Sequence, residues 1–148
     1  MLLCLECFKV YNQRTIKNNM CKVKDCYGDV VEIDELFVPV ITELNRKGYI
    51  TQYCCSGHVT GNGGLHSYIY FEDYTPLPSL PKGYKHDQDM YPHIKFEEGK
   101  VSILRYFDEK LSLTELSKQL YKNAISVLEW AEELEEIKNI KDGVYNDK

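Results

Sequence analysis

His66-Ser67-Tyr68-Ile69-Tyr70-Phe71-Glu72 alternates its side chains with a period of two. Ile69 and Phe71 fall on one face of an extended segment, and His66, Tyr68 and Tyr70 on the other. Such a strand buries one face and leaves the other open, which is the signature of an antiparallel sheet. Upstream, Tyr49 to Cys55 reads as a second strand, joined to the first by the glycine-rich Gly57-His58-Val59-Thr60-Gly61-Asn62-Gly63-Gly64. Downstream, residues 73–92 carry Pro76, Pro78, Pro81 and Pro92 with little periodicity, so a long loop is expected there. Ile94 and Phe96 then alternate with polar neighbours, Glu98-Gly99 makes a turn, and Val101 to Phe107 alternates again; this reads as a hairpin.

Two helical patterns flank the sheet. Val30 to Ile33 is a short extended entry and Asp34 a candidate N-cap. Leu36, Phe37, Val40, Ile41 and Leu44 follow at helical spacing up to Gly48. Pro39 lies inside that run, so the helix either starts near it after a separate turn or is kinked. Farther on, Ser112-Leu113-Thr114-Glu115 is a capping box. Leu113, Leu116, Leu120, Ala124, Val127, Leu128, Ala131 and Leu134 form one apolar stripe, with the helix end expected near Asn139. Its acidic second half reads as a solvated face, and Trp130 as a candidate anchor for a partner. The fold class is therefore α+β: a small, mainly antiparallel sheet covered by two helices, with any site on the sheet's other face.

Composition sets the outer limits. The chain has 148 residues, 43% hydrophobic and 28% charged, the balance of a globular domain and not of a disordered chain. No apolar run approaches the ~18 residues of a membrane span. Met1-Leu2-Leu3 is too short for a signal-peptide core, so a cytoplasmic protein is expected. A net charge of −5 makes duplex DNA an improbable partner.

Six cysteines are present, and four of them form two close pairs, Cys4-x2-Cys7 and Cys21-x4-Cys26. Each pair is short enough for one turn to aim both sulfurs at a point, and zinc requires four such ligands in a tetrahedron. Two disulfides, or free buried thiols, are the competing readings. The intervening segment, with Tyr11-Asn12-Gln13 and Asn18-Asn19, reads as a hairpin, and Gly28 suits a chain reversal. Residues 1–28 are thus expected as a zinc-ribbon-like lobe, with an α+β domain over 29–148. Four thiolates leave no open position, so the metal would be structural. A lobe of this size buries too little to fold without it.

The strand-ending Tyr53-Cys54-Cys55-Ser56-Gly57-His58 is the second candidate site. Glycine there lets a backbone approach a ligand closely, and free amides at such a turn can hold an anion. Several readings stay open: a ligand pocket using Ser56, Gly57 and backbone amides; a metal site of Cys55, His58 and His66; a nucleophilic Cys55 activated by His58; or two thiols in an ordinary hairpin. Adjacent cysteines in a strand point to opposite faces, so at most one faces a pocket. Tyr68 and Tyr70 share a face with His66, as in platforms that stack bases, although tyrosines are also good strand formers. Neither a Walker motif nor a dinucleotide fingerprint is present.

The cysteine-pair N-terminus followed by Cys55-Ser56-Gly57-His58 resembles small uncharacterised proteins of phages and Gram-positive bacteria. Over about 25 residues the chain is also similar to the third-step methyltransferase family of tRNA wybutosine synthesis, in which a helix leads to a Tyr-x-Thr strand ending in Ser-Cys-Ser-Gly-Arg. The matching residues are Tyr49, Thr51, Cys55, Ser56 and Gly57; His58 stands where that family has arginine, and Cys54 replaces a serine. That resemblance implies S-adenosylmethionine as a cofactor and a tRNA base as substrate. Two functions follow as expectations. One is a zinc-stabilised module binding RNA or a protein. The other is an RNA- or nucleotide-modifying enzyme whose pocket is lined by Cys55, Ser56, Gly57, His58, His66 and Tyr68.

Overall fold

A computed structural model describes residues 1–11, 19–58, 65–108 and 110–138. The segment 12–18 between the cysteine pairs and the glycine-rich stretch 59–64 lie outside the described residues. The architecture is α+β, with two antiparallel sheets. The first sheet runs β2 (Val10–Tyr11), β1 (Leu2–Cys4), β3 (Val30–Glu32). The second runs β4 (Thr51–Cys55), β5 (His66–Phe71), β7 (Val101–Tyr106), β6 (Lys85–His86). Among the described residues the helices α1 (Val38–Arg46), α2 (Asp87–Met90) and α3 (Leu113–Glu133) accompany them.

The period-two pattern of β5 is realised as read. Ser67, Ile69 and Phe71 are buried, whereas His66, Tyr68 and Tyr70 lie on the opposite face. Val40, Ile41 and Leu44 of α1 and Val127 and Ala131 of α3 share one core with Ile69, Phe71 and Ile103, so both helices cover the inner face. Leu3 belongs to the same core, with Leu5 and Phe8 packed against it. The N-terminal strands are thereby tied to the main body.

The separate turn before Pro39 is the alternative that the chain adopts. A 3-10 turn spans Glu35–Phe37, and Pro39 sits in the first turn of α1. There its missing N–H costs nothing. The α1 C-terminus passes into β4 through Gly48, at φ +92°. Asn45 ties helix to strand: its amide donates to Thr51 Oγ1 at 2.9 Å and its carbonyl accepts from Thr51 N at 3.2 Å.

Four expectations need correction. Residues 73–92 are not one long loop, since they contain β6 and α2. Ile94 to Phe96 is not a strand, because both edges of β7 are already taken by β5 and β6. α3 stops at Glu133, short of Asn139. The Lys47 ammonium reaches into its C-terminus and donates to the carbonyls of Ala131, Glu132 and Leu134 at 2.9, 2.5 and 2.6 Å. A cation there satisfies carbonyls left without intrahelical donors and complements the helix dipole. Finally, Trp130 is no exposed anchor: it is buried and donates from Nε1 to Ser79 Oγ at 2.9 Å. Leu113, at the start of the stripe, is the exposed member instead. The capping box forms on one side, with Glu115 N donating to Ser112 Oγ at 3.2 Å.

Candidate metal cluster and aromatic pocket

The four N-terminal cysteines converge. One ligand atom from each of Cys4, Cys7, Cys21 and Cys26 lies within 4.8 Å of the other three. Sγ of Cys4 is 3.7 Å from that of Cys26, and Sγ of Cys7 is 3.5 Å from that of Cys21. A tetrahedron with metal–sulfur bonds of about 2.3 Å has edges of about 3.8 Å. These two separations are compatible with that value, and the four thiols are free rather than paired at the ~2 Å of a disulfide.

Backbone turns set this spacing. Phe8 N donates to the Cys4 carbonyl at 3.0 Å, and Cys26 N to the Val23 carbonyl at 3.0 Å. Phe8 and Asp25 take left-handed φ values of 61° and 64°. For a bulky residue such as Phe8 that conformation is strained, and strain of this kind persists where the surroundings fix it. Gly28 closes the cluster, because a Cβ there would lie 2.7 Å from Cys4 Sγ. The thiols do not titrate alike. Burial opposes ionisation of Cys21, but hydrogen bonds from the Tyr11 hydroxyl, the Val23 amide and neighbouring thiols outweigh it and bring its pKa down to about 6. A set of soft donors in which one thiolate forms readily suits a thiophilic cation.

The open face of the second sheet forms a pocket of about 620 Å³ lined by Tyr53, His66, Tyr68, Tyr70, Tyr91, Phe96 and Tyr106, with Asp87, Ile94 and Leu104. Its floor follows from alternation: Tyr53 faces Tyr70, Tyr68 faces Leu104 and His66 faces Tyr106 across the ladder. The segment after α2 folds over this floor and contributes Tyr91, Ile94 and Phe96. His66 stacks on Tyr68 with ring centroids 5.5 Å apart, and Tyr68 meets Tyr70 edge-on at 5.5 Å. Asp87 is buried at the base and accepts from Tyr70 Oη at 3.0 Å and Ser102 Oγ at 3.1 Å. Burial, then the Asp87 carboxylate, pushes the Tyr70 phenol up to about 12. The hydroxyls of Tyr91 and Tyr106 are hydrogen-bonded to each other, and that contact leads the causes that raise Tyr106 to about 12.

At the end of β4 the two adjacent cysteines part, as alternation requires. Cys54 packs against the core, and Cys55 stands opposite Tyr68 on the pocket side. Burial raises the thiols of both. The Cys55 carbonyl is pinned by Ser67 Oγ at 2.9 Å, within a buried chain that continues to Tyr84 Oη and Asn123. Ser56 is buried, and its amide donates to Asp34 Oδ2 at 2.8 Å. Asp34 occupies the position expected of an N-cap, yet its side chain makes no capping bond and reaches across to this turn. Its Oδ2 also stands 3.3 Å from Nε2 of the half-exposed His58.

Of the residues singled out for ligand binding, His66 and Tyr68 line the pocket, while Cys55, which pairs with Tyr68 in the ladder, gathers with His58 around Asp34 beyond that lining. Gly57 has a different role. Its φ is +103°, and a Cβ there would lie 2.6 Å from Leu120 Cδ2 of α3, so it is glycine for packing against the helix. His66 stacks on the tyrosines and is not part of the Asp34–Cys55–His58 group. Sequence reasoning missed Asp34, Asp87, Tyr91 and Tyr106; only the pocket-side register of Tyr106, on an alternating strand, was visible in advance. No protein-family model matches the chain, and no curated protein or solved structure shows significant similarity to it. No described helix is long and apolar enough to cross a membrane.

Proposed function

We propose that the chain is a zinc-stabilised binding module that stacks an unpaired base, as in single-stranded RNA, on the open face of its second sheet. The carrying observation is the 620 Å³ pocket walled by aromatic rings, a volume in the usual range for small-ligand sites. Every base offers a π-face, and a base stacked on an aromatic side chain gains about 1–3 kcal/mol. The buried Asp87 supplies an acceptor at the base of the pocket for an exocyclic amino group. Lys85, beside Leu104 in the ladder, supplies a cation near its wall. In this reading Cys4, Cys7, Cys21 and Cys26 hold a structural Zn²⁺ in a zinc-ribbon-like lobe, and the chain works in the reducing cytoplasm, where thiols persist. A protein surface as partner becomes the outcome if bases do not bind.

Calorimetric titration with short single-stranded oligoribonucleotides tests this. Binding is expected, weakened roughly tenfold or more by Tyr68→Ala. A flat titration at millimolar ligand, with folded protein, defeats it. The second reading, a nucleotide-modifying enzyme of methyltransferase type, draws on the Asp34–Cys55–His58 group. Saturable binding of S-adenosylmethionine would favour it, and a flat titration would remove that cofactor.

A further inference from the structure

We propose that Asp34, Cys55 and His58 form a second metal site, an open three-ligand centre for a zinc-type divalent cation at the end of β4. One ligand atom from each of the three lies within 4.8 Å of the other two. The donor set is one thiolate sulfur, one imidazole nitrogen and one carboxylate oxygen, which matches borderline cations such as Zn²⁺ and disfavours Mg²⁺ or Ca²⁺. With bonds of about 2.0–2.1 Å to nitrogen and oxygen, the tetrahedral N–O edge is about 3.3 Å. Asp34 Oδ2 and His58 Nε2 stand at 3.3 Å.

Two arrangements outside the group support a built site. The Ser56 amide and hydroxyl hold the Asp34 carboxylate at 2.8 and 3.3 Å, the outer-shell bonding that orients ligating carboxylates. Ser67 fixes the Cys55 carbonyl at 2.9 Å. Asp34 Oδ2 carries the close contact to His58, and the Cys55 sulfur lies within 4.8 Å of both partners, so all three donors can reach one ion. Three protein ligands leave a fourth position for an oxygen donor, which is water until a ligand arrives. Tyr68, across the ladder from Cys55, is the pocket-lining residue nearest in register to the group. The site does not depend on what the pocket binds.

The test is a metal count on the full chain. Zn²⁺ is titrated into metal-stripped, reduced protein by calorimetry, and bound metal is measured after dialysis. Co²⁺ absorption serves as a parallel readout of thiolate ligation. Two ions per chain are expected. His58→Ala and Asp34→Asn should each weaken the second event by roughly a hundredfold or more while retaining the first. Cys7→Ser should remove the tighter event and leave the second. His58 is exposed, so its replacement keeps the fold, and Trp130 fluorescence verifies this in each variant. Saturation of the wild type at one ion that disappears in Cys7→Ser overturns the proposal. A second event that survives both His58→Ala and Asp34→Asn does so equally.

Discussion

Replacing Lys47 by methionine should cost about 3 kcal/mol of stability. Lys47 is a charged residue only 8% exposed, and its ammonium donates to three carbonyls at the end of α3. Methionine keeps the length and the apolar stem but removes every donor. The Ala131 and Leu134 acceptors are in buried bonds, and each buried acceptor left unsatisfied costs about 1–3 kcal/mol. Against this stands the relief of no longer desolvating an ammonium, which offsets part of the loss. Glu43, 3.5 Å from Lys47, keeps its bonds to Arg46 and adds little. The chain's single tryptophan, Trp130, is buried one residue before the first capped carbonyl, so its fluorescence reports the region directly. With a urea slope of about 2 kcal/mol/M, the midpoint should fall by about 1.5 M. A shift below about 0.5 M with unchanged slope would refute the claim that Lys47 holds the α3 terminus.

Three further outcomes follow from the same structure. Gly57→Val should destabilise by about 3 kcal/mol, since it combines a φ of +103° with a Cβ 2.6 Å from Leu120 Cδ2; a thermal midpoint within a degree of wild type would contradict it. Tyr70, raised to about 12 in the folded state against about 10 unfolded, gives stability fully present below pH 10 and lost as pH rises through 12. Urea midpoints at pH 8 and 11 should show that fall, and Tyr70→Phe should reduce it; equal slopes in both proteins would argue against the assignment. Chelation of bound metal should raise amide exchange across residues 2–11 and 19–32 before the rest of the chain, and simultaneous exchange throughout would mean that the cluster does not support the lobe.

Local pattern made the sheet's centre legible, and long-range contacts decided the remainder. The alternation in β5 gave both faces correctly because one face meets the core and the other does not. The cysteine spacing located the four-cysteine cluster because residues a few positions apart converge through local turns. β6 has only two residues, and no periodicity can announce it; it exists because the free edge of β7 accepts it. The same edge then excludes Ile94–Phe96, whose alternation serves instead to cover the aromatic floor. The end of α3 was misplaced because Lys47, over eighty residues earlier, supplies the terminal donors. Asp34 looked like a cap because caps are local, whereas its partner Ser56 is 22 residues away.

The turn from Cys54 to His58 shows why motif reading alone blurs function with folding. Five consecutive residues meet five different environments. Cys54 joins the core, Cys55 stands on the pocket side, Ser56 clamps Asp34, Gly57 abuts Leu120, and His58 is half exposed beside the carboxylate. Substitutions within this segment therefore report different things. Changes at Cys54 and Gly57 act on packing, and activity lost with them says nothing about chemistry. A change at Ser56 frees Asp34 and acts through it. His58 alone combines exposure with a place among the candidate ligands, so His58→Ala removes a candidate ligand while sparing the fold. A binding activity that falls in His58→Ala with an unchanged urea midpoint belongs to the Asp34–Cys55–His58 group. One that falls only in Gly57→Val belongs to the fold.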